Sequence, residues 1–333
     1  MQSNEPELWL SSHLSRNNLQ NIAEERQRIN TTIRSFFHSR GYIEVETPIV
    51  VRSPGMEPNL SPFETVVCEP NGTVHTAALI TSPEFSMKKL LGQGLEKIFT
   101  ITKVFRNEEA FGGTHNPEFS MIEWYQQGKD YQTCMGETEA LIRELGFVGP
   151  VLPWKRVRVR DLFIEFVALD LDNATAESLR SACDVNGIHT VETDTESDLF
   201  YRLFLALVEP NLGMDPIFVY DYPIHQAALS RLTTDGKYGE RFELYINGLE
   251  ICNAFTELTR AEEQRKRFEI EAEERRALGK TVHPIDEELL RLLPSLTNPT
   301  YGNALGIDRL HMILTNRTSI HEVLLFTADQ LFT

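Results

Sequence analysis

Apolar residues first recur at helical spacing over residues 18–40. The positions that set this spacing are Ile22, Ile29, Ile33, Phe36 and Phe37. The pattern predicts a long amphipathic helix, and Gly41 supplies its stop signal. Residues 42–46 then alternate as a strand that ends at Thr47-Pro48. The sequence therefore predicts a helix followed directly by a strand, an arrangement common in α+β proteins.

A period of two replaces helical spacing between residues 98 and 125. Residues 98–103 alternate, a second apolar run covers residues 121–125, and the flexible pair Gly112-Gly113 lies between them. The two runs predict an antiparallel pair of strands. Their connection includes Arg106, Asn107, Glu108, His115, Asn116 and Phe119.

The residue types in this connection are suited to a nucleotide. Arginine offers a planar, permanently charged fork that matches phosphate. An aromatic ring offers a face on which a base can stack. No GxxxxGK[ST] motif occurs in the chain, so the expected site is a nucleotide-triphosphate site without a P-loop.

A second hairpin is predicted from Gly239 to Phe255, around the turn signal Asn247-Gly248. Simple alternation pairs residues 246 with 249, 245 with 250 and 243 with 252. Glu243 and Glu250 then share one face, roughly 7 Å apart at their Cα atoms, where Mg²⁺ could bridge them. Both could instead point to solvent.

Simple alternation does not bring every polar residue of the hairpin to the face of Glu250. Asn253 and Glu257 fall on the opposite parity. A bulge, or a strand end near Ala254, would bring them to the same face.

Three other segments complete the pattern. Residues 79–84 read as a short strand with a polar end before a helix from Phe85 to Leu91, so Ser82 and Glu84 either cap that helix or bind a ligand. Residues 150–216 give helical pieces, including one from Ala176 to Val185 capped by Thr175. Residues 261–278 form a charged helix, which we read as solvated and capped by Thr259.

Composition narrows the class of protein. The chain has 333 residues and a formal charge of −17, which works against binding a phosphate backbone. Its four cysteines are far apart, which disfavours a disulfide scaffold or a zinc knuckle and fits a reducing compartment. We read no signal peptide and no membrane span, so we expect a cytoplasmic protein.

Several motifs in order resemble the class II aminoacyl-tRNA synthetases. FRNE…HNPEF (residues 105–119) is similar to their motif 2, and TSPE (81–84), FELYINGLEICNAFTEL (242–258) and GNALGIDRL (302–310) are closest to the lysine-specific branch. The similarity runs from about residue 18 to residue 326. The helix and strand at residues 18–46 look like motif 1, which builds the homodimer interface in that family.

The resemblance implies an α+β fold with a mixed, mostly antiparallel sheet flanked by helices and no N-terminal OB-fold domain. We expect a flexible segment at residues 1–17 and one catalytic domain over 18–333, with a helical insertion at about 150–215. It also implies use of ATP and Mg²⁺.

Site roles follow from the matched motif positions. Arg106 and Arg309 would be catalytic. The ATP-binding positions would be Arg106, Asn107, Glu108, His115, Asn116, Phe119, Glu250, Ile251, Gly306 and Arg309. The positions for the amino acid would be Ser82, Pro83, Glu84, Tyr125, Asn253, Glu257 and Ala304. Glu243 and Glu250 would hold the metal.

The activity so implied is ATP-dependent activation of lysine, or of (R)-β-lysine, as an adenylate. Fewer than 20 residues precede the motif 1 helix, and Ala304 stands where lysyl-tRNA synthetases usually have glycine. With the net acidity, these departures resemble the stand-alone synthetase-like proteins that attach (R)-β-lysine to a lysine side chain of elongation factor P. We therefore expect elongation factor P as acceptor and do not expect tRNA binding.

Two alternatives remain open at this point. One is a truncated lysyl-tRNA synthetase paralogue that still charges tRNA. The other is a small-molecule ligase of the asparagine synthetase type, although Glu84, Tyr125 and Glu257 favour a cationic substrate.

Overall fold

A computed structural model describes residues 16–150 and 153–332. Most of the segment expected to be flexible, residues 1–17, lies outside these ranges, and Arg16 and Asn17 already belong to the first helix. The helices are α1 (Arg16–Ser39), α2 (Glu84–Gly92), α3 (Tyr131–Glu144), α4 (Val159–Val167), α5 (Ala176–Val185), α6 (Glu196–Leu203), α7 (Ala261–Ala277), α8 (Glu287–Leu292), α9 (Ile307–Leu314) and α10 (Ala328–Phe332).

Two sheets are built from eleven strands in the described part of the chain. These are β1 (Ile43–Glu44), β2 (Val50–Val51), β3 (Glu64–Cys68), β4 (Val74–Leu79), β5 (Lys97–Phe105), β6 (Glu118–Gln127), β7 (Lys155–Arg158), β8 (Ile217–Pro223), β9 (Tyr238–Ile246), β10 (Leu249–Thr256) and β11 (Thr300–Gly306). The large sheet has the order β1-β5-β6-β11-β10-β9-β8-β7, and the small one has the order β2-β4-β3. Only the outer pairs β1/β5 and β7/β8 of the large sheet are parallel, so the expected mixed, mostly antiparallel sheet is confirmed.

Helices α1 and α3 cover one face of the large sheet. The core between them includes Phe37 of α1, Met135 of α3, Trp124 of β6 and Leu244 of β9, all of which are buried. Because successive residues of a strand point to opposite faces, the residues between these core positions are directed to the other face. That second face carries the polar residues discussed below.

The segment expected to be a helical insertion shares a second apolar cluster with strands β8 and β9. Helices α4 and α6 pack against β8, and Phe163, Phe200 and Phe204 lie at the centre of the cluster. The capping prediction for α5 is confirmed. The Thr175 hydroxyl accepts a hydrogen bond from the Ser178 amide, and the Ser178 hydroxyl accepts one from the Thr175 amide. The segment is not purely helical, because β7 adds a strand to the edge of the large sheet.

Helix α7 differs from the sequence-based interpretation. Its N-cap is Arg260, with no side-chain capping bond, so the predicted cap at Thr259 is wrong. One stripe of the helix is buried, and its members are Gln264, Phe268, Glu271, Ala272 and Arg275. The helix therefore packs against the protein along this stripe. Among the described helices, none is long and apolar enough to cross a lipid bilayer.

Candidate active site

The second face of the large sheet, opposite α1 and α3, carries two cross-strand rows of residues. In the first row, Glu123, Ala304, Asn253 and Glu243 lie directly opposite one another on β6, β11, β10 and β9. In the neighbouring row, the same strands contribute Tyr125, Gly302, Phe255 and Arg241. Residues paired in this way have Cβ atoms about 4.5–5.5 Å apart, so the rows bring polar side chains of four strands close together around Ala304, Gly302 and Phe255.

A β-bulge creates this arrangement. Glu250 pairs with Tyr245 as predicted, but the register then shifts, so Cys252 pairs with Leu244 and Asn253 with Glu243. The predicted pairing of residues 243 and 252 is therefore wrong. The shift lies between Glu250 and Cys252 and places Glu250 and Asn253 on the same face, so of the two alternatives the structure has the bulge and not a strand end near Ala254.

The bulge also limits how Ile251 could contact ATP. Its side chain and that of Cys252 both lie in the core covered by helices α1 and α3. Only the backbone of Ile251 can therefore contact a ligand on the polar face.

An acidic pocket forms where α2 meets the sheet. Glu84 Oε1 lies 2.5 Å from the ammonium nitrogen of Lys88, and that nitrogen lies 2.6 Å from Glu257 Oε2. Burial raises the pKa of Glu257 to about 8, although the charge of Lys88 acts in the opposite direction. Lys88 was not predicted from the sequence, but it stands four residues after Glu84 on a predicted helix, the spacing at which side chains meet.

Glu123 is a second buried carboxylate of this pocket that sequence reasoning missed. It accepts hydrogen bonds from the Ser82 hydroxyl at 2.5 Å and from the Tyr125 hydroxyl at 2.8 Å. Burial and the charge of Glu84 raise the pKa of Glu123 to about 8. The sequence could have identified Glu123, because it lies two residues before Tyr125 on a predicted strand and so shares its face. Pro83 is the N-cap residue of α2, and Ser82 accepts a hydrogen bond from the Glu84 amide.

Two further acids border the pocket. Glu57 lies on the loop before β3, and burial together with the charge of Glu84 raises its pKa. Glu271 on α7 is buried, and burial and Glu57 raise its pKa. Neither was predicted, because the loop has no regular period and α7 reads as a surface helix.

Positive charge lies at the other end of the same face. The guanidinium carbon of Arg106 is 5.1 Å from the centre of the Phe119 ring. The Nε atom of Arg106 is buried and has no hydrogen-bond partner among the described residues. An unpaired buried donor of this kind is expected to bind an acceptor, so the residue fits the phosphate of ATP.

Arg309 joins this end to the hairpin. Its Nη1 donates to the backbone oxygen of Glu250 at 3.0 Å and lies 3.7 Å from Glu250 Oε2, while its Nη2 is 3.4 Å from His115 Nε2. Burial and the charge of Glu243 raise the pKa of Glu250 to about 7. Arg106 is within electrostatic range of both Glu250 and Arg309. The structure thus brings residues 106, 119, 250 and 309 together.

Some of the other residues predicted to contact ATP are exposed, and others already hydrogen-bond to the protein. Asn107 and Glu108 are exposed, and Glu108 Oε2 accepts from the Ser61 hydroxyl at 2.5 Å. Both ends of the Asn116 amide are engaged, donating to the Glu118 carbonyl and accepting from the amide of Ala328. A side chain built on Gly306 would meet only Arg309, at 3.9 Å, so its backbone is open to the polar face.

The carboxylate of Glu243 is already surrounded by donors. It accepts hydrogen bonds from Arg241 at 2.5 Å, Tyr222 at 2.5 Å and Tyr245 at 2.7 Å. Among the described residues, no group of three or more His, Cys, Asp or Glu side chains could hold a metal ion. Protein ligands alone do not form a cage, so a Mg²⁺ ion here would need phosphate oxygens, which is how Mg²⁺ is usually held beside nucleotides. Metal binding by Glu243 and Glu250 stays a prediction.

Known proteins of one family are similar to this chain over most of its length. The family described as tRNA synthetases class II (D, K and N) matches residues 9–330. Proteins named elongation factor P–(R)-β-lysine ligase from several bacteria match the chain, and three of them illustrate the similarity. The one from Avibacterium paragallinarum is 38% identical over 307 residues, 91% of this chain and 94% of its own length. Those from Salmonella typhi and Haemophilus influenzae (strain PittGG) are 38% identical over 312 and 308 residues, in each case 92% of this chain and 94% of the relative. The chain therefore belongs to the class II tRNA synthetase family and, within it, to the elongation factor P–(R)-β-lysine ligases.

Proposed function

We propose that this ATP-dependent ligase activates (R)-β-lysine or lysine as an adenylate and transfers it to a lysine side chain of elongation factor P. The observation that carries the proposal is a single sheet face with carboxylates at one end and guanidinium groups at the other. Such a face suits an amino acid with two ammonium groups placed beside a polyphosphate.

The amino acid would lie over the rows formed by β6, β11 and β10. Glu84, Glu123 and Glu257 would receive its ammonium groups, and Asn253 would donate its amide to the carboxylate. Ala304 stands between Glu123 and Asn253, so its methyl group would limit the room beneath the backbone of the substrate. A buried site built for charge rejects neutral side chains strongly.

ATP would lie across the hairpin end of the face. Arg106 would bind the α-phosphate and stabilise the charge that develops there, while Arg309 and His115 would bind the outer phosphates. Phe119 would stack on adenine, and Glu108 would accept from its amino group. Mg²⁺ would neutralise the outer phosphates, and Glu250 is the better protein ligand because Glu243 already accepts three hydrogen bonds.

Two bond exchanges complete the reaction. The carboxylate of the amino acid attacks the α-phosphorus, and the bond from that phosphorus to pyrophosphate breaks. The free-base amine of the acceptor lysine then attacks the acyl carbon, which forms an amide, releases AMP and loses one proton. Positioning accounts for most of what this second step requires.

Partners and oligomeric state belong to the same proposal. Elongation factor P is the acceptor named by the relatives. A homodimer through α1 and β1 follows from their resemblance to motif 1. The net charge of −17 disfavours tRNA as acceptor, since it repels a phosphate backbone.

The test measures activation and transfer separately. Arg106→Ala should abolish lysine-dependent exchange between ATP and pyrophosphate, because it removes a donor to the reacting phosphate. Arg276→Ala is the control, since Arg276 is exposed and pairs with Glu273 on the surface. Mass spectrometry of elongation factor P and of tRNA, each incubated with enzyme, ATP and a lysine isomer, identifies the acceptor. Near-normal exchange by Arg106→Ala, or a mass gain on tRNA alone, would contradict the proposal.

A further inference from the structure

Lys88 lies inside the acidic pocket and does not face solvent. Its side chain is 1% exposed, and its ammonium nitrogen lies between Glu84 at 2.5 Å and Glu257 at 2.6 Å. The nitrogen is also 5.1 Å from the centre of the Phe255 ring. Both of its carboxylate partners are groups that would receive the substrate in the proposed function, on which this inference rests.

A buried ammonium is costly unless its partners are well placed. Lys88 therefore acts mainly on the carboxylates around it and is not free to bind an anionic ligand. The titratable groups around Lys88 come from several elements. Glu84 lies on the same helix as Lys88, and Glu257 follows β10. Glu123 and Tyr125 lie on β6, and Glu57 lies on the loop before β3.

The charges of the pocket can be counted. Among the groups assigned to the substrate, Glu84, Glu123 and Glu257 contribute three negative charges and Lys88 one positive charge, a formal charge of −2 when all are ionised; Glu57 and Glu271, at the border of the pocket, are not included. An amino acid with two ammonium groups neutralises this charge. Without Lys88 the pocket would carry −3, and mutual repulsion would favour protonation of its buried carboxyls.

Lys88 also fixes the orientation of Glu257. Its ammonium nitrogen lies 2.6 Å from Oε2, yet neither oxygen of this buried carboxylate accepts an aligned hydrogen bond from a described residue, which leaves Oε1 open to a further donor. Oε1 lies where a side chain on Gly302 would be, 2.4 Å from the position of that missing Cβ. The free oxygen thus points across β11 into the pocket.

We propose that Lys88 is a positioning residue that sets the charge of the pocket, favouring the ionised form of Glu257 and directing its Oε1 towards an ammonium group of a diamino acid. Because a neighbouring positive charge favours the carboxylate form, Lys88 lets the pocket bind its substrate at a lower pH than it otherwise could. The direction agrees with the effect of Lys88 on Glu257, whose pKa it lowers against the larger effect of burial.

The test replaces Lys88 with methionine, which has similar length and no charge. The pH dependence of kcat/KM for lysine is followed by exchange between ATP and pyrophosphate, without the acceptor. In Lys88→Met the acid limb should move up by about one pH unit or more, and KM for lysine at pH 7 should rise about tenfold. Lys89→Met is the matched control, since Lys89 faces outward and pairs with Asp286 at 2.6 Å; its acid limb should match the wild type.

Two further variants separate charge from packing. Lys88→Arg keeps the charge and should keep the acid limb within a few tenths of a pH unit of the wild type. Adding Glu84→Gln to Lys88→Met restores the formal charge of −2 and should move the limb back towards the wild type, even where activity stays low. A Lys88→Met limb at the wild-type pH, or a double variant no closer than the single one, would overturn the inference. If the wild type exchanges only with neutral or acidic amino acids, the proposed function itself fails.

Discussion

Gly302 lies where β11 passes between two pocket residues. A Cβ atom there would be 2.3 Å from Cε1 of Tyr125 and 2.4 Å from Oε1 of Glu257. Glycine is therefore required because of this close approach, since both neighbours are held by the surrounding pocket.

Gly302→Ala should displace Tyr125 or Glu257 and so damage the part of the site assigned to the amino acid. We expect KM for lysine to rise at least about tenfold, while KM for ATP changes little, since an interaction with only one substrate is lost. Steady-state kinetics with each substrate varied in turn measures the two effects.

Gly136→Ala provides the control for that substitution. Gly136 lies within α3, and a Cβ atom there would meet nothing within 4 Å, so the change should leave both KM values unchanged and favour the helix slightly. Equal changes in the KM values for lysine and ATP in Gly302→Ala would show that the strain spreads beyond the pocket.

Among the secondary-structure elements, hydrophobic periodicity correctly predicted the long first helix and the two strands that flank Arg106. The helix expected at residues 18–40 is α1 (Arg16–Ser39), and the two strands expected around Arg106 are β5 and β6. The bulge after Glu250 was not placed, because Ile251 is an ordinary strand residue and the segment has no glycine to mark a shift. The bulge decides on which face of the sheet Asn253 lies, and the hydrophobic pattern of the sequence does not reveal the bulge.

Helix α7 shows a second limit of periodicity. Its buried positions, 264, 268, 271, 272 and 275, follow helical spacing, but three of them are Gln264, Glu271 and Arg275. Polar residues at buried positions weaken the hydrophobic pattern by which an amphipathic helix is recognised. The sequence therefore did not reveal the buried stripe of α7. The interpretation as a fully solvated helix failed for this reason.

Arg275 gives α7 a structural role that can be tested. Its Nη1 donates to the carbonyls of Glu57 at 2.8 Å and Leu60 at 2.9 Å, and its Nε donates to Thr281 at 2.7 Å. Arg275→Met should remove these three hydrogen bonds and lower the free energy of unfolding by about 2–4 kcal/mol. It should also loosen the loop that carries Glu57.

Urea denaturation measures the stability change, and hydrogen exchange of residues 54–61 measures the loosening. Arg276→Met is the matched control, since the neighbouring side chain is exposed and pairs with Glu273 on the surface, and it should change stability by less than about 0.5 kcal/mol. Equal stability of the two variants would contradict this account of α7.

At the scale of the whole molecule, the site depends on strand order. Residues 84, 106, 123, 257 and 309 meet because β11 inserts between β6 and β10. Local patterns predict strands but not which distant strands become neighbours. The sequence supported this convergence only through the ordered motifs of a known family, and charged partners outside those motifs, such as Lys88 and Glu57, were not found.

The buried carboxyls of the pocket also link its charge to the stability of the whole protein. The pKa values of Glu123 and Glu257 are raised to about 8 by burial, from an ordinary value of 4.5. A carboxyl with a raised pKa in the folded state stabilises the fold below its unfolded pKa, and this stability is lost as the pH rises through the folded value. The ligand-free protein should therefore lose at least about 1 kcal/mol between pH 6.5 and pH 8.5, seen as a Tm lower by about 2 °C or more.

A diamino acid should oppose this loss, because its ammonium groups favour the ionised carboxylates. The rise in Tm on adding saturating lysine should therefore be larger at pH 8.5 than at pH 6.5, whereas norleucine, which lacks the second ammonium group, should give a smaller rise with little pH dependence. Burial lowers the pKa of His225, His283 and His311, so these histidines act in the opposite direction, because the unfolded chain binds more protons near pH 6.5; most of their effect lies below that pH. Glu123→Gln removes one of the titrating groups and should flatten the loss of Tm with pH in the ligand-free protein. A ligand-free Tm that rises from pH 6.5 to pH 8.5, or a lysine effect that shrinks with pH, would mean that the pocket carboxyls are already ionised at pH 6.5.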